Sequence, residues 1–226
     1  LRYAGIAVPI LVLGYTSPDD IDIAAEHDIS ITIYSDEMLA ALKRRVGLRP
    51  VKVHIKLDTG MGRIGLVGCE AATAYIDQVL QLPGTSIEGL FTHYACADEQ
   101  DKTYTYEQHR QFDTVVQHYK RQGIEFPYVH AGNSATGIDS PELSYNMLRL
   151  GISLYGLYPS DEVQVQRVAL RPAMTFKTKI IMVKTVEAGC GISYGATYRT
   201  PGTEVIATLP VGYADGYSRL LSGKAD

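Results

Sequence analysis

The sequence contains no tryptophan, only 4 phenylalanines and only 3 cysteines among its 226 residues. The cysteines are odd in number and lack the spacing of metal ligands, so reduced thiols and a cytoplasmic location are expected. No apolar stretch approaches the length of a membrane span, and the first residues carry no signal-peptide pattern. A net charge of −4 without a lysine- and arginine-rich run argues against nucleic acid as a partner. We therefore expect neither a membrane nor a nucleic-acid partner.

Tyrosine is abundant instead, with 16 in the chain. A tyrosine side chain can line the wall of a pocket and can also act as an acid or a base. The hydrophobic fraction of 46% is ordinary for a globular protein with a sizeable core.

The most informative stretch is VKVHIKLDTGMGRIG, residues 51–65. Its first part predicts a strand, and Asp58-Thr59-Gly60 predicts the turn that ends it. Lys56, Asp58 and Arg63 therefore stand at or just beyond the carboxyl end of a strand, where parallel α/β folds place their chemistry. The segment also matches the G-x-G-x-x-G dinucleotide fingerprint. That interpretation is weak, because the next helical pattern starts later and no acidic residue ends the following strand.

Strands and helices alternate along the first two thirds of the chain. We predict helices at residues 17–26, 36–46, 70–82 and 104–122, the second of them ended by Gly47. The third should bury Ala71, Ala74, Tyr75, Val79 and Leu82. Strands are predicted at residues 9–15, 29–34, 51–57, 87–94, 128–130 and 147–155. This alternation predicts a (β/α)8 TIM-type barrel whose first two βα units are absent from this chain.

The pattern changes after residue 159. Residues 174–186 and 204–211 alternate as antiparallel strands do, with glycine turns and no helical pattern between them. We therefore predict two domains, a partial barrel at residues 1–160 and the start of an all-β domain at residues 161–226. Both ends of the chain are expected to be interruptions of a longer fold.

Polar clusters stand at several of the predicted strand ends, and each has a plain structural alternative. His93 could be a hydrogen-bonded core histidine, and Arg149 could be the structural partner of Asp58. Asn133 and Ser134 could form a turn and a helix cap. If four strand ends meet at one mouth, these residues instead form a site. The further candidates are Asp98, Gly151, Ile152, Tyr194 and Tyr213.

Six motifs occur in order along the whole chain: KLDTGMGRIG, THYACADE, HAGNSA, LRLGISLYG, ISYGATY and LPVGYADGY. Together they resemble the motifs of bacterial alanine racemases, isomerases that depend on pyridoxal 5′-phosphate (PLP). The resemblance implies an eight-stranded barrel, a C-terminal β domain and a head-to-tail homodimer with active sites shared between subunits. It also implies cytoplasmic racemisation of L-alanine to D-alanine for peptidoglycan.

The same resemblance assigns roles to residues of this chain. Arg149 would face the pyridine nitrogen of PLP, His93 would lie between Arg149 and Tyr194, and Tyr194 would be one of two catalytic bases. Arg63, Tyr194, Tyr213 and Asp98 would contact the substrate, and Lys56 could be carbamylated. The residues that would hold the cofactor are Arg63, His93, Asn133, Ser134, Arg149, Gly151 and Ile152. No metal site is implied.

One element of the family pattern is missing. The lysine that forms the Schiff base with PLP belongs to an early motif, and no segment of this chain resembles that motif. We therefore expect the parent protein to be a racemase and this polypeptide alone to be inactive. Two alternatives stay open: a serine or broad-specificity racemase, and a Schiff-base aldolase that uses Lys56. A third, a non-catalytic PLP-binding barrel, would lack the β domain, and the ISYGATY and LPVGYADGY segments argue against it.

Overall fold

The structure is a computed structural model that describes residues 1–46 and 49–221. The chain forms two compact units, Leu1–Ala173 and a second unit that begins at Met174. The predicted domain boundary at residue 160 stays a prediction. Within the described ranges, no helix has both the length and the apolar character needed to cross a membrane.

The first unit is built on a parallel sheet. Its strands lie in the order β1, β2, β3, β5, β6, and β4 pairs with the end of β3. Each long pairing is parallel, with Ile31 opposite Val53 and Phe91 opposite His130. The strands are Ile10–Val12 (β1), Ile29–Ile33 (β2), Val51–Asp58 (β3), Leu66–Val67 (β4), Thr85–Phe91 (β5) and Tyr128–His130 (β6). This α/β half-barrel confirms the predicted fold class.

Helices separate these strands as the sequence predicts. Ser17 caps the turn before the first helix, with Pro18 at the first position, and the Ser35 hydroxyl accepts the Met38 N–H at the start of the second. The helices are Ile21–Glu26 (α1), Asp36–Arg44 (α2), Cys69–Leu80 (α3), Thr103–Arg121 (α4) and Ser134–Asp139 (α5). The predicted helix stop at Gly47 lies outside the described residues.

The core lies between β3 and the helices that cover the sheet. Val53 and Ile55 of β3 are fully buried, as are Phe112 and Val115 of α4. Helix α3 buries Tyr75 and Val79 as predicted. The rest of its buried stripe differs from the prediction: Ala72 and Ile76 point inward, while Ala71 and Ala74 are exposed. Burying the bulky Ile76 removes more apolar surface from water than burying an alanine, which decides the rotation of the helix.

The predicted strand at residues 147–155 is wrong. Its backbone N–H at Arg149 reaches the Gly132 carbonyl at 3.1 Å, but the chain then forms a single 3₁₀ turn at Ile152–Tyr155. Leu150 and Leu154 are exposed. An apolar run becomes a strand only when a neighbouring strand completes its ladder of hydrogen bonds. In the described unit this run forms a loop that carries Arg149.

The second unit, described as far as residue 221, shows two short antiparallel pairs. Met182–Val186 (β7) pairs with Glu204–Thr208 (β10), and Gly191–Ile192 (β8) pairs with Tyr198–Arg199 (β9). The expected antiparallel β character is therefore confirmed, although β7 is shorter than the predicted strand at residues 174–186.

Candidate active site

The carboxyl ends of β3, β5 and β6 form the mouth of the half-barrel. Because these strands are parallel neighbours, the residues at and just beyond their ends meet at one edge of the sheet. Lys56 comes from β3, His93 follows β5, and Arg149 reaches the ends of β5 and β6 from the loop that follows α5.

Arg149 forms hydrogen bonds to four acceptors at this mouth. Its Nη1 atom donates to His130 Nδ1 at 2.5 Å. Its Nη2 atom lies 2.8 Å from the Thr92 carbonyl oxygen, 2.9 Å from that of Ala131 and 3.1 Å from His93 Nδ1. Burial lowers the pKa of Arg149 to about 10, so the guanidinium stays charged at neutral pH. The predicted alternative that Arg149 pairs with Asp58 is wrong.

Asp58 is committed to its own loop. Its Oδ1 atom accepts the N–H groups of Gly60 and Gly62, each at 3.0 Å. Burial alone would raise the pKa of Asp58, but these N–H groups and that of Met61 hold it below its usual value. The Asp58 carboxylate therefore holds the glycine loop in place. It forms no ion pair with Lys56 or Arg149.

The glycine loop is not a dinucleotide fingerprint. After Gly65 the chain forms β4, and helix α3 starts only at Cys69. The fingerprint requires glycines that open the helix itself, and that condition fails.

Lys56 is buried among cations. Its side chain is 3% exposed, and Nζ lies 4.7 Å above the centre of the Phe91 ring. The Arg149 guanidinium lies 5.4 Å from the same ring. Burial, with the charges of Arg149 and of the exposed Arg63, lowers the pKa of Lys56 to about 8 against the weaker opposing effect of Asp58. About a tenth of this amine is therefore uncharged at pH 7.

His93 is a neutral imidazole beside Arg149. Burial, and then the charges of Arg149, Lys56 and Arg63, lower its pKa to about 4. Because a guanidinium can only donate, Nδ1 of His93 accepts and the ring proton lies on Nε2. Its backbone carbonyl accepts the Gln108 carboxamide N–H at 3.1 Å.

Ser134 collects backbone N–H groups at the start of α5. Its buried hydroxyl oxygen accepts from Gly151 at 2.9 Å and from Ser153 at 3.3 Å. Two accepted bonds leave the hydroxyl proton free to donate. The exposed Ile152, which was predicted to contribute its N–H, lies between these two donors.

Asn133 is the cap of α5. Its side-chain oxygen accepts the Thr136 N–H at 3.0 Å, and the Thr136 hydroxyl accepts the Asn133 N–H in return. The capping interpretation is therefore confirmed for Asn133.

The remaining predicted residues lie in three loops. Asp98 is half-buried, and its carbonyl oxygen accepts the Ser160 hydroxyl at 2.8 Å. Tyr213 in the second unit is 64% exposed. Tyr194 is 88% exposed and stands between Ser193, with φ of 61°, and Ala196, with φ of 46°. Left-handed backbone is uncommon at non-glycine residues and concentrates at functional sites.

Sequence reasoning missed four buried residues that lie at or below the mouth: His54, Phe91, Gln108 and His130. His54 precedes Lys56 by two residues, so the period of a strand places both on one face. His130 ends β6 and begins the HAGNSA motif. These two signals were available in the sequence. Nothing local marks Gln108, which is fully buried on α4.

The described mouth is cationic, and among the described residues no cluster of His, Cys, Asp and Glu could hold a metal ion. Such a mouth can bind an anionic ligand through Arg149 and Ser134, and it presents an amine of low pKa and a neutral imidazole for proton transfer.

Comparisons with known proteins agree with this geometry. The family model described as "Alanine racemase, N-terminal domain" matches residues 1–159, and "Alanine racemase, C-terminal domain" matches residues 173–226. The fold and mouth define the chain as an α/β barrel domain followed by a β domain. The chain belongs to the alanine racemase family.

Individual relatives support this assignment. The alanine racemase of Desulforamulus reducens is 48% identical over 99% of this chain and 61% of its own length. Among solved structures, an alanine racemase from E. faecalis superposes with a TM-score of 0.84 at 38% identity, covering 99% of this chain and 60% of that one. One from Bacillus anthracis with bound L-Ala-P gives 0.80 at 40% identity, covering 99% and 58%. The chain thus spans about 60% of the length of the relatives it matches.

A histidine racemase from Leuconostoc mesenteroides has the same fold, with a TM-score of 0.73 at 28% identity, covering 96% of this chain and 58% of that one. The fold therefore does not by itself determine the amino acid.

Proposed function

We propose that the protein containing this chain is a PLP-dependent racemase that converts L-alanine to D-alanine for peptidoglycan. The observation that carries the proposal is Arg149, a half-buried cation fixed by four acceptors at the mouth of an alanine racemase barrel. The names of the relatives support alanine as the substrate. A cytoplasmic location and a head-to-tail homodimer with shared active sites belong to the same proposal.

The residues of the mouth fit PLP. The cofactor carries a phosphate, and the Ser134 hydroxyl keeps a free proton beside the backbone at Gly151. We propose that Ser134, Gly151 and Ile152 hold the phosphate, with Asn133 fixing the start of α5. Arg149 would face the pyridine nitrogen, and Arg63 and His93 would complete the set.

When bound, PLP supplies an electron sink that makes the α-proton of an amino acid acidic. Arg149 keeps its proton at working pH and therefore donates a hydrogen bond without acting as an acid. His93, neutral and protonated on Nε2, would donate to Tyr194 of the partner subunit. Racemisation needs one base on each face of the substrate. Tyr194 of one subunit would be the base on one face in the active site of the other subunit.

The second base of the proposal is a lysine that the 226 residues do not contain, since no segment resembles its motif. We propose that a polypeptide of these residues alone has no racemase activity. Asp98 and Tyr213 would line the path by which the substrate enters.

Lys56 is a candidate for carbamylation. Its lowered pKa provides an uncharged amine near neutral pH, and that amine nitrogen can add to the carbon of carbon dioxide with loss of one proton. The product is anionic and would orient Arg63, whose charge already acts on Lys56. Carbamylation would also remove one of the two cations that share the Phe91 ring.

The test uses the full-length protein loaded with PLP. We expect D-alanine to form from L-alanine. Tyr194→Phe should abolish activity while thermal stability stays unchanged, because the substitution removes one hydroxyl and keeps the ring. L-Serine and L-histidine, assayed in parallel, decide between alanine and broader specificity. No conversion of any amino acid would contradict the proposal.

A second measurement distinguishes the racemase proposal from the aldolase alternative. After addition of PLP and reduction with borohydride, peptide mass spectrometry would locate the modified lysine. A stoichiometric adduct on Lys56 would favour the aldolase, which uses such a strand-end lysine. The racemase proposal expects no adduct at Lys56.

A further inference from the structure

Two buried histidines lie below the mouth and have no role in the proposed chemistry. His54 is on β3 and is 3% exposed, and His130 ends β6 and is fully buried. Nδ1 of His54 lies 2.9 Å from Nε2 of His130. The other ring nitrogen of His130 meets Arg149 Nη1. The three side chains therefore form one continuous hydrogen-bonded row.

The proton positions in this row follow from Arg149. A guanidinium has only donors, so Nδ1 of His130 must be the unprotonated acceptor. A neutral His130 then carries its proton on Nε2 and donates it to Nδ1 of His54. His54 in turn carries its own proton on Nε2. This assignment of the ring protons satisfies both the Arg149–His130 and the His130–His54 hydrogen bonds.

The surrounding charges favour the neutral form of both rings. Burial, then the charges of Arg149, His54 and Lys56, hold the pKa of His130 far below its ordinary value. Burial lowers the pKa of His54 to about 4, against the opposing effect of Glu88. A proton on Nδ1 of His130 would point at a guanidinium N–H. The row is therefore intact only while His130 is neutral.

Both rings are held by packing. His130 stacks on Phe91 with centroids 4.6 Å apart, and His54 stacks on Tyr128 at 5.7 Å. Gly89 of β5 leaves room for His54, since a Cβ at that position would lie 2.5 Å from His54 Nδ1. Arg149, in contrast, belongs to a loop. Of the four acceptors of its guanidinium, His130 is the one that belongs to a strand of the sheet.

We propose that His130, oriented by His54, is the positioning residue that fixes the Arg149 guanidinium at the mouth. His130 acts by offering one neutral acceptor whose direction is set by stacking on Phe91 and by the bond to His54. The consequence for catalysis rests on the proposed racemase function, whereas the proton arrangement does not.

The first experiment determines which ring nitrogens of His54 and His130 carry protons. Full-length protein labelled with ¹⁵N in its histidines is examined by NMR at pH 7, with His54→Asn and His130→Asn used for assignment. We expect both rings to show a protonated Nε2 and an unprotonated Nδ1. A protonated Nδ1 on His130, or a doubly protonated ring, would overturn the proposal whatever the enzyme turns over.

The second experiment compares two substitutions at each histidine. The Asn side-chain oxygen can replace an accepting Nδ1, whereas Leu of similar size offers no acceptor. We expect His130→Leu to lower kcat/KM for alanine about 100-fold, because misplacing a reacting group by about 1 Å costs that much. His130→Asn should recover at least tenfold of this loss. His54→Leu should fall between wild type and His130→Leu, with His54→Asn above it.

Thermal unfolding of all four variants provides the control. Equal activity of His130→Asn and His130→Leu, with equal melting temperatures, would mean that the ring only fills space and would reject the proposal. If His130→Leu does not fold, the His54 pair decides by the same criterion. Racemase activity missing even from wild type would reject the proposed function and leave the NMR result as the test of the row.

Discussion

The carboxamide of Gln108 donates to the backbone carbonyl of His93 across 3.1 Å. The same side chain accepts the Ala95 N–H at 2.9 Å and is completely buried on α4. A helix residue thereby holds the backbone of the loop that carries His93, while Arg149 contacts the His93 ring.

Replacing Gln108 with Leu should therefore destabilise the fold. The Ala95 N–H and His93 carbonyl would lose their buried partner, which costs about 2–3 kcal/mol. Gln117→Leu on the exposed face of the same helix should change stability by less than about 0.5 kcal/mol. Urea unfolding of both variants measures the difference, and equal midpoints would contradict the assigned role of Gln108.

Two glycines of the loop after β3 should respond differently to alanine. Gly65 has φ of +135°, and a Cβ there would lie 2.5 Å from the Asp58 backbone nitrogen. Gly62 has φ of +67°, and its Cβ would meet nothing within 4 Å. We expect Gly65→Ala to cost at least about 3 kcal/mol and Gly62→Ala about 1 kcal/mol. Chemical denaturation would show whether this order holds or is reversed.

Lys56 should make stability rise with pH. Its folded pKa of about 8 lies below the ordinary 10.5, so between these values the unfolded state binds more protons. Below pH 8 the buried ammonium destabilises the fold in full. Relative to Lys56→Met, wild type should gain about 2 kcal/mol between pH 7 and pH 9.5. Parallel stability curves in buffers free of carbon dioxide would contradict this expectation.

A buried ion pair joins the start of α4 to the end of α5. Lys102 Nζ lies 2.8 Å from the Asp139 carboxylate, whose side chain is 2% exposed. Lys102→Met would leave this carboxylate without its cation and should cost about 3–5 kcal/mol. The exposed pair of Lys52 with Asp28 is the control, and Lys52→Met should cost less than about 1 kcal/mol. Thermal melts of the two variants test the contrast.

How far the sequence predicts this molecule depends on how local the determining contacts are. Strand β3 was predicted to within one residue, because its apolar positions and the following turn are both local signals. The meeting of Lys56 and His93 also follows, since parallel strands end at one edge. Arg149 reaches them from a loop that the sequence predicts as a strand. Residues 147–155 failed because strand formation requires a partner that the segment itself does not specify.

The histidine row could not be derived in the same way. Between β3 and β5 the register shifts at Val53 and His54, which places Gly89 opposite the His54 ring. A register shift of this kind depends on tertiary packing and leaves no signature in either strand. Gln108 is a similar case, because a buried polar residue on an apolar helix face is identified only by its partners.

Lys56 and Arg149 both lie over the ring of Phe91, and this arrangement couples anion binding to proton uptake by Lys56. Each cation above the ring disfavours the other, so an anion that enters between them favours the charged form of Lys56. By reciprocity, protonation of Lys56 strengthens binding of that anion by the same factor. Near pH 8, binding of an anion should therefore be accompanied by uptake of a fraction of a proton. Titration calorimetry in buffers of different ionisation enthalpy would measure the number of protons taken up per anion bound.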